Sequence, residues 1–301
     1  MPRLNVYLSD ETFKLAERWR GKINLSEICA RALAEELEAR EAGRTAKGLR
    51  QALRRPSDIE REFIDAFALA DAVIAPVVEH EPVRDTLGRA AAQYLQRYLG
   101  DGGQLAIAGG RQMWSMVQSV EPRPLRVAIA ALGFRPHDPR VLHAHANTLA
   151  TMLWLLFSPR ADAHLIGDTE SVFALDPVER AEPRYFVIGS CAPYDKNGPF
   201  AKLLDGFDRR HLQDAGVFGD FAYQFFDSIG RPVQLHERLN ARLLDREKHL
   251  ALVRRTDARV IAVAGGADKI QVLHRTIDNG LCNTVITDEV AARKLLKMSK
   301  R

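Results

Sequence analysis

The sequence predicts an α/β protein: a mostly parallel sheet with helices on both faces, preceded by a small module of one strand and two helices. Three observations predict it. From about residue 58 onward short apolar runs alternate with helical stretches, the pattern of buried strands joined by crossover helices. The length of 301 residues exceeds what one hydrophobic core usually holds, so two domains are expected. Charge is also divided unevenly: residues 1–55 hold 12 Lys/Arg against 8 Asp/Glu, whereas residues 56–301 hold 31 of each.

Composition excludes several classes. Hydrophobic residues at 46% and charged residues at 27% match an ordinary folded protein rather than a disordered one. No apolar run approaches the ~18 residues of a membrane span, and MPRLNVYLSD has no signal-peptide core. A cytoplasmic protein with no membrane partner is therefore expected. Cys29, Cys191 and Cys282 stand far apart without a CxxC pair, which excludes a disulfide framework and a cysteine zinc site. His143 and His145 are two residues apart, a spacing that puts their rings on different faces of a helix. They read as structural or pocket-lining, and Asn147 as a helix cap. No metal and no cofactor are expected.

In residues 3–8, RLNVYL, Leu4, Val6 and Leu8 alternate with Arg3, Asn5 and Tyr7, so the strand has one apolar and one polar face. Ser9 stands as N-cap of a helix over about 10–20, which buries Phe13, Ala16 and Trp19 and stops at Gly21. A second helix starts at Asn24, with Glu27 completing a capping-box pattern and Leu25, Ile28, Ala32, Leu33 and Leu37 as its apolar stripe. One strand and two short helices cannot close a core, since both strand edges stay unpaired. Pairing with the same strand of a second chain solves both problems, so a homodimer is expected. Residues 42–55 add five basic residues and no acid. On a helix Arg44, Lys47, Arg50 and Arg54 share one face, either for phosphate contacts or as a solvated linker.

Residues 2–40 resemble the ribbon-helix-helix family of DNA-binding proteins, the Arc and MetJ type, most closely through PRLNVYL. The resemblance implies a double-stranded DNA partner, with Arg3, Asn5 and Tyr7 reading base edges in the major groove. It also implies that the helix start at Asn24, Leu25 and Ser26 anchors a phosphate. Arg44 and Lys47 would flank that contact. The other reading of these residues is an edge strand on a dimerisation arm.

In the larger module the expected strands are 104–108, 125–130, 184–189, 259–264 and 283–287. Ligands in such folds sit beyond the carboxyl ends of the strands. After QLAIA come Gly109 and Gly110, with a helix starting near Arg111. Glycines there let a phosphate approach the backbone, or simply permit tight packing. After RVIAVA come Gly265 and Gly266, with Lys269 in the first helical turn, so glycines and a cation converge. GVFGDFAYQFFDSIG reads as a turn-rich loop in which Asp220 and Asp227 bind sugar hydroxyls or cap turns.

Residues 58–301 resemble the effector domain of the SorC family of bacterial transcriptional regulators. RVIAVAGGADKIQVLHRTIDNGLCNTVITDEVAARKLL carries the likeness, with support from GVFGDFAYQFFDSIG, RYFVIGS and DTLGRAAAQYLQRYLGDG. The resemblance implies a fold related to ribose-phosphate isomerases and glucosamine-phosphate deaminases, used to sense a phosphorylated sugar. It implies that Lys269, Gly266 and the Gly109–Gly110 turn hold the phosphate. Two departures stand out. The family usually places a helix-turn-helix domain in front, and it places threonines where this chain has Arg111 and Gln112. Arg111 could supply a charge-assisted contact instead, or Gln112 and Trp114 could fill a pocket that no longer binds a sugar.

The expected organisation is thus a ribbon-helix-helix domain over 1–41, a basic linker over 42–57 and an effector domain over 58–301. The expected function is a DNA-binding transcriptional regulator with a phosphorylated sugar effector, dimeric through the ribbon and tetrameric if the effector domains also pair. The alternative is an architectural, plasmid-maintenance or conjugation protein whose degenerate sugar domain serves assembly. A GTGST-like isomerase loop is absent from the sequence, so no catalytic residue is assigned and no enzyme is expected.

Overall fold

The computed structural model describes residues 56–77, 80–134, 139–166, 175–195, 201, 206–233 and 244–300. The chain divides into two units at the Arg55–Pro56 bond, and all described residues lie in the second. The expectations for Arg3, Asn5, Tyr7, Asn24, Ser26, Arg44 and Lys47 therefore fall outside the described residues.

The second unit opens with α1 (Asp58–Phe67), started by a capping box between Ser57 and Glu60. The other Glu60 oxygen accepts the Ile74 N–H at 3.0 Å, which ties the helix to β1 (Asp71–Ala75). There follow α2 (Val83–Tyr98), β2 (Gly103–Ala108), α3 (Arg111–Gln118) and β3 (Val127–Leu132). A 3₁₀ turn over Pro139–Ala144 leads into α4 (Ala146–Phe157) and β4 (Asp162–His164). Then come β5 (Tyr185–Gly189), β6 (Cys191–Pro193), α5 (Gly206–Asp214), β7 (Gly219–Phe221) and β8 (Gln224–Phe226). The chain finishes with α6 (Arg246–Arg254), β9 (Ala258–Val263), α7 (Ile270–Asp278), β10 (Thr284–Asp288) and α8 (Glu289–Ser299).

The main sheet has the order β1-β10-β9-β5-β2-β3-β4, with every neighbouring pair parallel. This bears out the α/β architecture read from the sequence. Strand alternation splits the core in two. Tyr185 and Val187 face one layer, while Phe186 and Ile188 face the other with Ile107, Ile129 and Ile261. Burial on both faces explains why these strands read as continuous apolar runs. From β2 the chain winds out through β3 and β4, then returns to the other flank of β2 as β5. The order reverses between β2 and β5, the point at which doubly wound sheets open a crevice at their carboxyl edge.

Three expectations change. β3 begins two residues later than expected and runs to Leu132. GVFGDFAYQFFDSIG is not a loop: β7 and β8 form a hairpin, and β6 pairs with β7 antiparallel to make a second, three-stranded sheet. Its two-residue turn, Ala222–Tyr223, has φ of 48° and 65°, the paired left-handed geometry that matches hairpin twist. The cap of α4 is His145, whose Nδ1 accepts the Asn147 N–H at 3.2 Å. The Asn147 side chain instead reaches Ile166, accepting its N–H at 2.7 Å.

Candidate anion site at the carboxyl edge of the sheet

The site is built by helix starts. Parallel strands deliver α3, α7 and α8 to the same edge with the positive ends of their dipoles; α3 and α7 have no side-chain cap, whereas α8 is capped. Gly88 lets α2 join them: a Cβ there would lie 2.4 Å from Ser115 Oγ, so a side chain would push α2 and α3 apart.

At the end of β2 the chain turns through Gly109 and Gly110. Gly110 is the N-cap of α3 with φ 125° and no side chain to cap the helix, so the first-turn N–H groups of α3 have no capping side chain. The turn itself is crowded. Gly110 N–H donates to the Ala144 carbonyl at 2.7 Å, and the Tyr223 hydroxyl lies 3.1 Å from where a Gly109 Cβ would stand. Ser190, at the end of β5, faces the same turn: a Gly110 Cβ would sit 3.4 Å from its Oγ.

At the end of β9 the chain turns through Gly265 and Gly266. A Cβ on Gly265 would lie 2.3 Å from Asp288 Oδ2. That oxygen accepts the Gly266 N–H at 2.7 Å, while Asp288 Oδ1 caps α8 through Ala291 N–H at 2.9 Å. Asp288, 3% exposed, thus welds this turn to α8. Its only signal in the sequence is that of an N-cap, an Asp before EVAARKLL.

Two cations meet here. Lys269 is the N-cap of α7 and half-buried. Burial holds its ammonium below the ordinary lysine range; Asp268 and Cys191 oppose this, while Arg111 and Arg84 act in the same direction as burial. Arg111 is exposed at the first position of α3. Among the described residues no carboxylate forms an ion pair with Lys269 or Arg111. Gln112 is not beside them. It is 3% exposed and its Nε2 donates to the Arg84 carbonyl at 2.8 Å, bracing α2 against α3.

Asp220 lies on β7 opposite Ala192. Burial pushes its carboxyl up to about 7, against the opposing hydrogen bond from the Tyr223 N–H at 3.0 Å. Cys191 is next to both Asp220 and Lys269, and burial pushes its thiol up to about 12, so it is no nucleophile. His145, 2% exposed, is held below the usual histidine range by burial, with a contact to the Phe134 carbonyl opposing. His143 rests edge-on against Trp114 at 5.6 Å. With Arg84, Arg89 and Arg111 these two line a cavity of about 460 Å³ between α2 and α3. Among the described residues no three His, Cys, Asp or Glu side chains could hold a metal.

The site is thus the carboxyl edge of a doubly wound parallel sheet, the place where such folds hold their ligands. The chain belongs to the family described as "Putative sugar-binding domain", whose model matches residues 51–297. The transcriptional regulator LsrR of Klebsiella pneumoniae is 25% identical over 254 residues, covering 80% of this chain and 76% of that protein. The deoxyribonucleoside regulator of Bacillus subtilis is 23% identical, covering 75% of each. The full-length sorbitol operon regulator SorC of Klebsiella pneumoniae shares the fold with a TM-score of 0.60 at 18% identity, covering 96% of this chain and 100% of that one. A transcriptional regulator from Streptococcus pneumoniae does so at 0.62 and 18%, covering 81% and 97%.

Proposed function

We propose that the protein is a cytoplasmic transcriptional regulator, and not an enzyme, that binds double-stranded DNA through residues 1–41 and a phosphorylated sugar at the carboxyl edge of its sheet. The observation that carries the ligand is the meeting of Arg111 and Lys269 beside the uncapped start of α3. A phosphate placed there takes two charge-assisted contacts and the helix N–H groups. Asp220 and Ser190 would take sugar hydroxyls. The names of the related regulators support the DNA partner, and the charge excess in residues 1–55 supports it independently. Ligand binding would bias the arrangement of a homodimer on its operator, a coupling usually of ~1–3 kcal/mol.

One observation favours a second reading, in which the sugar domain is degenerate and serves only assembly. The N–H groups of Gly110 and Gly266 are satisfied from within the chain, and the Tyr223 hydroxyl crowds Gly109. Thermal unfolding against a panel of sugar phosphates separates the two. A ligand at about 100 times its Kd adds ~2.7 kcal/mol, and the resulting shift should vanish in Lys269→Ala. A panel that shifts nothing sinks the sensor. On the DNA side, Arg3→Ala should weaken operator binding by ~1–3 kcal/mol without loss of fold, and unchanged operator affinity would remove the ribbon assignment.

A further inference from the structure

The crevice between β2 and β5, where a doubly wound sheet offers its ligand site, is occupied by the chain itself. The tip of the β7–β8 hairpin presses on three glycines at the ends of three adjacent strands. A Cβ on Gly189 would lie 3.3 Å from Ala222 Cβ, one on Gly109 would lie 3.1 Å from the Tyr223 hydroxyl, and one on Gly133 2.8 Å from it. Tyr223 is 7% exposed, and its ring stands edge-on to Phe134 at 5.1 Å. Its backbone is left-handed, with φ 65°. That region favours glycine or asparagine and burdens a bulky side chain, so local backbone preference does not explain a tyrosine here. What the side chain does is fill the turn: its hydroxyl lies against Gly109 and Gly133, in the space that a bound oxyanion would otherwise take.

The geometry points to Tyr223 as a built-in plug and specificity-determining residue: its hydroxyl stands in for a ligand oxygen at Gly109 and confines the anionic group of any ligand to the Arg111–Lys269 side of the edge. This inference rests on the anion reading of that edge. A phosphate oxygen cannot enter beside the phenol, because the space between Gly109 and Gly133 is taken. Only ligands whose anionic group fits the outer position are admitted.

The test is titration of inorganic phosphate into the full-length chain by calorimetry. Tyr223→Gly suits the left-handed backbone and frees the space of the ring beside Gly109. Phosphate should bind about tenfold more tightly than to the wild-type chain, and added phenol, refilling the vacancy, should reverse the gain. A gain below about threefold in a variant that still melts cooperatively overturns the plug, as does a gain that phenol leaves untouched. If the glycine variant does not fold, Tyr223→Asn is held to the same standard, because asparagine tolerates this backbone. Lys269→Ala separates the two ideas. Wild-type binding that it abolishes but Tyr223→Gly does not raise overturns the plug alone, whereas no phosphate binding to either the wild type or Tyr223→Gly overturns the anion reading and the plug with it.

Discussion

After β2 and after β9 the chain reads the same three letters, Ala-Gly-Gly, at Ala108–Gly110 and Ala264–Gly266. Both second glycines have positive φ, 125° and 85°, yet the two turns are glycine-rich for different reasons. The first makes room for neutral groups, the Ala144 carbonyl and the Tyr223 hydroxyl, and its helix begins at once with Arg111. The second makes room for a carboxylate, Asp288, and delays its helix until after Lys269. One turn therefore carries its cation directly on the helix start. The other places an anion beneath its backbone and its cation three residues further on. A glycine pair after a parallel strand reports a close approach, and only the approaching group reveals whether that approach serves a ligand.

Three substitutions break or sharpen this contrast. Gly265→Ala should have the largest effect, because its Cβ would meet Asp288 Oδ2 at 2.3 Å and Leu87 Cδ1 at 2.8 Å, and Asp288 is pinned by two N–H groups. We expect a loss of about 3 kcal/mol in denaturant unfolding; a loss below about 1 kcal/mol would mean that Asp288 moves freely. Gly109→Ala meets its neighbours more gently, at 3.0 Å from the Ala144 carbonyl and 3.1 Å from the Tyr223 hydroxyl. About 1–2 kcal/mol should be lost, part of it recovered when Tyr223→Phe removes the hydroxyl. Additive losses in that double-mutant cycle would show that the phenol is not the obstacle.

The smallest effect concerns Asp220. Its folded-state pKa of about 7 lies above the ordinary 3.8, so the folded protein holds this proton more tightly than the unfolded chain does. That contribution is fully present below about pH 4 and is lost as pH rises through 7. Relative to Asp220→Asn, the wild type should lose on the order of 1 kcal/mol between pH 5 and 8, the figure being reduced because Asp220 is only half-buried. Parallel pH profiles for the two proteins would show that Asp220 ionises normally.

The long parallel strands were legible in the sequence because burial on both faces writes them as unbroken apolar runs. β1 and β4 were not. DAVIA is five residues bounded by an acid, and DAH is three residues with two polar side chains, so neither supports a pattern. The hairpin was masked by its own brevity: its strands are three residues each, and the partner of β7, Cys191–Pro193, lies almost thirty residues upstream. At the site, Arg111, Lys269 and the glycines could be picked out as types following strands. The groups that decide what those glycines do, Tyr223 and Asp288, arrive from distant parts of the chain, and no local spacing connects them. Gln112 shows the converse, since a polar residue at the right position turned inward to brace two helices.

The edge of the sheet carries a consequence for synthesis. β1, the first strand of this domain, finds its partner in β10, more than two hundred residues later. α1 is likewise joined to the far end of the chain by Lys300 and Glu62 at 3.0 Å. During translation β1 has no strand to pair with until Thr284–Asp288 has left the ribosome, so its pairing edge waits open. Closure is thus a late event in the synthesis of this domain: a chain released before Thr284 lacks the strand that seats Asp71–Ala75.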